Sequence, residues 1–233
     1  IFHFLKIDRG LEIHYDGDLP GRSGLGSSSS FTVGLLNTLY AYHGQIVSPN
    51  RLAKESIHIE QDLIKETVGS QDQTNAAYGG FNKIQFKQNG EITVEPVTIS
   101  YERIQALDEN LMLFYTGIIR TAEKVAKSYV DVIEEKEKQL LRMHAMVDEA
   151  IEIISNGNLD NFGLLLNEAW QKKRSLSKLV SNPQVDEIYA SALSAGALGG
   201  KLSGAGGGGF LLLYVPSEKH PDVKQKLSHL LHV

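Results

Sequence analysis

Two glycine-dense stretches constrain this 233-residue chain more than any other feature. In the first, Gly21-Arg22-Ser23-Gly24-Leu25-Gly26 runs directly into Ser27-Ser28-Ser29-Ser30. In the second, eight of the 22 glycines fall between Gly196 and Gly209. Glycine loses the most conformational entropy on folding, so such crowding marks backbone that bends sharply or approaches another group closely. A glycine loop feeding a helix N-terminus leaves backbone N–H groups pointing outward, with the positive end of the helix dipole behind them. Such a loop is an anion site, and serine hydroxyls beside it can donate to phosphate or ligate Mg2+. The bland reading is a flexible Gly/Ser connector. A linker, however, would not be wedged between a strand and an amphipathic helix.

The rest of the chain reads as a mixture of strands and helices. Leu11 to Tyr15 alternates like a strand. From Ser27 a helix is expected, with Phe31, Leu35, Leu36 and Leu39 on one face, ending near Gly44. Ser48-Pro49 opens a second helix that runs to about Thr67. A short helical turn to Tyr78 follows, then a hairpin of Phe81–Phe86 and Ile92–Val97 turning at Asn89-Gly90. Past Ser100, Leu111 to Tyr115 reads as a buried strand, and Ala122 to Ser155 as one long helix stopped at Asn156-Gly157. Further helices are expected over Asn158–Val180, from Asn182-Pro183, and over Asp222–Leu231. Lys201–Ser203 and Phe210–Val215 read as strands flanking the second glycine cluster. No regular βαβ alternation appears, which favours an α+β fold over a doubly wound sheet.

Familiar nucleotide motifs come close and fail. Gly21 to Ser28 has Walker spacing, but serine stands in place of the lysine. Gly24-x-Gly26-x-x-Ser29 lacks the third glycine of a dinucleotide fingerprint, and no acidic residue follows at the required distance. Gly204-Ala205-Gly206-Gly207-Gly208-Gly209 matches G-x-G-x-x-G, yet a strand follows it rather than a helix. It is therefore either a tight loop between strands or a loop that faces a ligand. Among carboxylates, Glu60 shares a helical face with Ile57 and Leu63 and is expected to point partly inward. Asp72 sits in a polar run that could equally be helix caps.

Composition removes several classes of function. There is no cysteine, so no disulfide, thiolate nucleophile or iron–sulfur cluster. That fits a reducing compartment, and a cytoplasmic location is expected. The net charge of −5 and the lack of a Lys/Arg stripe argue against nucleic acid as a partner. No apolar run is long enough for a membrane helix. His229 and His232 have helical spacing but no third ligand near them.

The motifs carry a resemblance. Pro20 through Ser29 resembles the P-x-x-x-G-L-G-S-S-S/A motif of the GHMP small-molecule kinases, which include galactokinase, homoserine kinase, mevalonate kinase and phosphomevalonate kinase. Lys201 through Gly209 resembles that family's C-terminal glycine motif. Within the family, five stretches are most similar to the D-glycero-D-manno-heptose 7-phosphate kinases. These are Ser27–Gly34, His58–Asp62, Gly69–Gln73, Tyr78–Asn82, and Tyr115-Thr116-Gly117 with Arg120.

The resemblance implies a two-domain α+β fold. Residues 1–100 would be the remainder of an ATP-binding domain like domain 2 of ribosomal protein S5. Residues 101–233 would be a ferredoxin-like C-terminal domain. Gly24, Leu25, Gly26, Ser27, Ser28 and Ser29 would wrap the ATP phosphates. Ser28, with Ser27 as its neighbouring candidate, and Glu60 would hold Mg2+. Asp72 would be the general base for the sugar hydroxyl, or its orienter. Gly204, Ala205, Gly206 and Gly207 would close the site, and Arg22 and Arg120 would meet a substrate phosphate. Lys172, Lys173, Arg174 and Lys201 are further basic candidates. Phosphoryl transfer through a loose transition state needs positioning and charge neutralisation more than strong base catalysis, so an ordinary aspartate can serve.

The implied activity is ATP-dependent phosphorylation of the anomeric hydroxyl of a heptose 7-phosphate, feeding nucleotide-activated heptose for surface glycans. The rivals are another GHMP kinase acting on galactose, fucose or a mevalonate derivative, and a non-catalytic nucleotide or metabolite sensor. Intact Ser28, Glu60 and Asp72 argue against the sensor. The family's N-terminal P-x-R-x-x-x-x-G motif is absent, and the chain opens at Ile1-Phe2 within an apolar segment. It is therefore expected to be a family member without its first third, and inactive in that form.

Overall fold

The computed structural model describes residues 1–18, 21, 23–119, 122–130 and 133–233. The first helix, α1 (Ser27–Tyr42), begins where the serine run begins. Its buried stripe is Ser29, Thr32, Val33, Leu36, Leu39 and Tyr40. That stripe is turned away from the expected one: a 3.6-residue period through Leu36 and Leu39 leaves Phe31 outside, edge-on to Tyr15 at 5.0 Å. Ser48 caps α2 (Pro49–His58), its hydroxyl accepting from Arg51 N–H at 3.3 Å. The helix then widens into a π-turn, Ile59–Leu63, and ends short of Thr67. There Ile64 N–H reaches back five residues to the Ile59 carbonyl (2.9 Å).

Next come α3 (Gln71–Tyr78) and the hairpin β1 (Asn82–Phe86) and β2 (Ile92–Pro96). The hairpin register pairs Phe86 with Ile92, so Asn89-Gly90 lies within a five-residue connection. The three helices pack on one another around Val33, Leu36, Tyr40, Leu52 and Ile59. Residues 11–17 form neither helix nor strand, contrary to the alternation of Leu11–Tyr15. An alternating segment becomes a strand only where a neighbour takes its backbone hydrogen bonds, and none among the described residues does.

The second half comprises α4 (Tyr101–Asp108), β3 (Leu111–Tyr115), α5 (Ala122–Val130), α6 (Glu137–Asn156), α7 (Asp160–Arg174), α8 (Pro183–Ser194), β4 (Gly199–Leu202), β5 (Phe210–Tyr214), α9 (His220–Lys226) and β6 (Leu231–His232). The four strands form one antiparallel sheet in the order β4-β5-β3-β6. Counted along the chain, that is second, third, first, fourth, with helices between the first and second strands and between the third and fourth. This is the ferredoxin-like arrangement. Trp170, Leu202, Leu211, Leu213 and Val215 are fully buried in its core. Helix α7 lies so close on β4 that a Cβ at Gly199 would stand 2.0 Å from the Gly163 carbonyl oxygen. That contact gives the glycines ahead of Lys201 a packing purpose.

Three helices differ from their expected spans. Ala122–Ser155 is interrupted by a 3₁₀ turn at Ile133–Lys136, inside a charged run that has no apolar stripe to bury. Helix α7 stops at Arg174, after three basic residues that suit a helix C-terminus. Helix α9 stops at Lys226 because Leu231–His232 pairs with β3 instead. His229 and His232 therefore share no helix.

Helix α6 ends in carbonyls that have no intrahelical N–H partner. The Arg103 guanidinium caps this end, donating to Ile154 O (2.9 Å), to Ile153 O (2.8 Å), which also accepts from Gly157 N–H, and to Gly157 O (2.9 Å) just past the helix. Arg103→Ala is expected to cost about 2–3 kcal/mol, read as a lower midpoint in urea unfolding. An unchanged midpoint would mean that water replaces the guanidinium without loss.

Candidate active site

The two glycine segments, far apart in sequence, meet. The loop Gly204–Gly209 joins β4 to β5, and Ser203 N–H still donates to the Phe210 carbonyl at its base (2.8 Å). Beyond that point its backbone is seated on other elements. Gly207 N–H donates to Val180 O (2.7 Å), and the Asn182 amide donates to Gly207 O (3.0 Å). Gly209 N–H donates to Ile118 O (3.0 Å), and Gly209 O accepts from both the N–H and the hydroxyl of Thr116 (3.0 and 2.8 Å). Phe210 N–H donates to Ser23 O in the first glycine segment (3.2 Å). At Gly209, φ is +88° and a Cβ would lie 2.0 Å from that same Ser23 oxygen. Gly206 to Gly209 are thus buried against protein, whereas Gly204 is exposed and Ala205 half-buried.

Gly26 is the N-cap of α1 with φ +71° and has no side chain to offer the helix. No acidic residue stands in the first turn of α1. The first i→i−4 bond of this helix is Ser30 N–H to Gly26 O (2.8 Å), which leaves the N–H groups of Ser27, Ser28 and Ser29 outside the intrahelical ladder. Asp72, on the first turn of α3, comes to this place: its Cγ lies 3.4 Å from where a Cβ at Gly26 would stand. A carboxylate therefore stands beside the mouth of the glycine–serine loop.

Glu60 is 2% exposed, placed there by the π-turn, which buries Ile59 and Glu60 together and leaves Leu63 outside. Gln73 Nε2 donates to Glu60 Oε2 at 2.5 Å, and Ser29 Oγ donates to the same oxygen at 3.2 Å. Glu60 Oε1 is buried with no partner. It is Ser29, then, that touches Glu60, whereas Ser28 is exposed and lines a cleft of about 500 Å3 with Phe31, Ile59 and Leu63. Gln73, 1% exposed, is a site residue that sequence reasoning missed. Its place directly after Asp72 was the available signal. Gln61 steadies the segment between the two carboxylates, its amide donating to Val68 O (3.0 Å) and Ser70 Oγ (3.2 Å). No three acidic or histidine side chains converge as a metal cage among the described residues. An Mg2+ ion carried by a nucleotide needs only one or two protein oxygens, and a buried carboxylate oxygen without a partner fits that demand.

The basic candidates separate. Arg22 and Arg120 lie outside the described residues. Lys173 Nζ donates to Gly204 O, which ties α7 to the loop. Arg174 pairs with Asp186 at 2.8 Å. Together with Lys124, Lys178, Asn182 and Gly207, it lines a groove of about 890 Å3 that neither Asp72 nor Glu60 reaches. Burial pushes the Lys201 ammonium below its ordinary value, while the negative charge of Asp72 pulls it back up.

Two outcomes follow from this packing. Gly209→Ala is expected to lower thermal stability by about 3 kcal/mol through strain at positive φ and the clash with Ser23. An unchanged melting temperature would mean that the two glycine segments are not seated on each other. Lys201 binds fewer protons folded than unfolded, so its burial costs stability at neutral pH, and the cost fades as pH rises toward 10.5. Lys201→Met should therefore be at least as stable as the parent at pH 7, with the advantage shrinking by pH 10 in urea titrations. A uniform loss across that range would assign Lys201 a stabilising contact instead.

Comparison with known proteins agrees with this geometry. The GHMP kinases N-terminal domain model matches residues 2–80, and the GHMP kinases C-terminal model matches residues 137–231. The chain is 32% identical over 225 residues to the D-glycero-alpha-D-manno-heptose 7-phosphate kinase of Campylobacter jejuni, covering 95% of this chain and 66% of that protein. It is 27% identical over 240 residues to the galactokinase of Pyrococcus furiosus, covering 90% of this chain and 66% of that protein. The crystal structure of a D-glycero-D-manno-heptose 1-phosphate kinase from Bacteroides thetaiotaomicron superposes with a TM-score of 0.69 at 25% identity, over 93% of this chain and 61% of that one. The chain thus spans just under two thirds of the length of these relatives. Two family models on either side of one shared site, with both glycine motifs in order, show that this chain belongs to the GHMP kinases.

Proposed function

We propose that the protein is an ATP- and Mg2+-dependent sugar kinase that phosphorylates the anomeric hydroxyl of a heptose 7-phosphate, giving the 1,7-bisphosphate. The observation that carries this reading is the position of Asp72 beside Gly26, where a carboxylate faces the mouth of the glycine–serine loop. The choice of sugar rests on the similarity to the heptose 7-phosphate kinase across 95% of this chain.

In this reading Gly24 to Ser29 receive the ATP phosphates on the α1 N–H groups and hydroxyls. Mg2+, when bound with ATP, neutralises the phosphate charge that develops in transfer. Glu60 Oε1, with the hydroxyls of Ser27 to Ser29 as candidates beside it, would hold it. Asp72 orients the anomeric hydroxyl and accepts its proton as the new O–P bond forms and ADP leaves. The seated part of the second glycine loop holds the two halves together, and its exposed end, Gly204-Ala205, borders the substrate. The chain divides into the domains 1–100 and 101–233, a division supported by β3, which is the first strand of the second sheet.

A second reading, a kinase for galactose, fucose or mevalonate, draws support from the galactokinase similarity. ATP consumption by the full-length protein against heptose 7-phosphate, galactose, fucose, mannose and mevalonate separates the two readings. Turnover confined to heptose 7-phosphate is expected, and turnover on an unphosphorylated compound instead would overturn the substrate assignment. Asp72→Asn in the full-length protein is expected to lose at least 100-fold in kcat while ATP still binds. Unchanged turnover would remove Asp72 from the chemistry.

A further inference from the structure

We infer that Gln73 is a positioning residue for the metal-facing carboxylate, holding Glu60 Oε2 so that Oε1 is presented to a divalent cation. The inference rests on the reading of Glu60 as the residue that faces Mg2+. A carboxylate has two oxygens and several lone pairs to satisfy. Here both protein donors, Gln73 Nε2 at 2.5 Å and Ser29 Oγ at 3.2 Å, go to the same oxygen. The other oxygen is buried and has no partner. A buried acceptor left unpaired costs free energy, and a fold that concentrates both donors on Oε2 while emptying Oε1 has shaped a cation site.

The orientation of the Gln73 amide follows from the same chemistry. A carboxylate oxygen only accepts, so the NH2 of Gln73 must face Glu60 and its carbonyl must face away. That carbonyl oxygen, Gln73 Oε1, is also buried without a partner. Exchanging the amide's ends would set two acceptors against each other. Gln73 is therefore locked, and it locks Glu60 in turn. It is also closely supported: α3 is among the elements packed most densely on α2, and Thr74 Oγ1 donates to Ser70 O (2.7 Å) at the start of α3. Because Asp72 and Gln73 are consecutive on that first turn, one piece of helix carries both the carboxylate at the glycine–serine loop and the amide that aims Glu60. The placement of Asp72 and the aim of Glu60 are thus coupled through α3. Partners that orient a ligand commonly contribute 10- to 100-fold to metal affinity.

The test is a calorimetric titration of Mg2+ into the chain saturated with a non-hydrolysable ATP analogue, set beside the melting temperature and the nucleotide affinity without metal. Gln73→Met keeps the side-chain length and removes the donor. It is expected to weaken Mg2+ binding at least 10-fold while the nucleotide affinity without metal stays at the parent value and the variant still melts cooperatively, a split that a merely structural role would not produce. Ser29→Ala removes the longer of the two bonds and keeps the core intact. It is expected to weaken Mg2+ binding less than Gln73→Met, and it keeps the proposal open to refutation should the methionine variant misfold. Glu60→Gln is the reference. If it loses Mg2+ while Gln73→Met and Ser29→Ala bind within twofold of the parent, the positioning role is overturned and the reading of Glu60 stands. If Glu60→Gln itself binds Mg2+ like the parent, the metal reading falls and the inference falls with it.

Discussion

A backbone contact between two glycine-containing loops organises this molecule. Phe210 N–H donates to the Ser23 carbonyl, and Gly209 lies so flat against that carbonyl that no other residue type fits. Through this contact the ferredoxin-like sheet reaches the N-terminal helices and fixes where the loop ahead of α1 ends. From Ser23 the chain needs only three residues to reach Gly26, beside which Asp72 stands. The position of Asp72 relative to the glycine–serine loop is thus bound to a close approach that a single methyl group would break. Val180 and Ile118 accept further bonds from the same loop, so two segments of the second half share with Ser23 the work of holding it.

The site combines two kinds of polar group that folding normally avoids. Helix α1 begins without a side-chain cap, as α3, α6, α7 and α9 do, but it alone among the described N-cap positions carries a glycine at positive φ. Glu60 is buried with one oxygen unpaired. In a purely structural setting each would be a defect. Placed near one another they are complementary, since the helix start suits the anionic phosphates and the carboxylate suits the cation that travels with them. Phosphoryl transfer asks a protein for this kind of positioning and neutralisation.

Much of this was legible in the sequence, and the parts that were not have physical causes. The glycine segments, the Ser48 and Asn182 caps, the hairpin and the strands at Leu111 and Phe210 are local signals, and they appear where local chemistry puts them. Glu60 was expected inside, yet its reason for being there differs. An α-helical face shared with Leu63 does not form, because the π-turn re-aims the residues and leaves Leu63 exposed. Leu11–Tyr15 alternates like a strand but has no pairing partner among the described residues, and strand formation is a property of the pair. Leu231–His232 failed in the opposite sense: its helical spacing yields to pairing with β3. Ser29 was named for the phosphates and Gln73 follows Asp72 directly, but their shared contact with Glu60 arises only where α1, α3 and the π-turn meet.

The central claim is that this site transfers a phosphoryl group from ATP to the anomeric oxygen of a heptose that already carries a phosphate. The most direct measurement is the 31P NMR spectrum of the product that the full-length protein forms from ATP and D-glycero-D-manno-heptose 7-phosphate. The account predicts a second sugar-phosphate resonance split by coupling to the anomeric proton, appearing in step with ADP. ADP without that resonance, or a new phosphate coupled to any other ring proton, would contradict it.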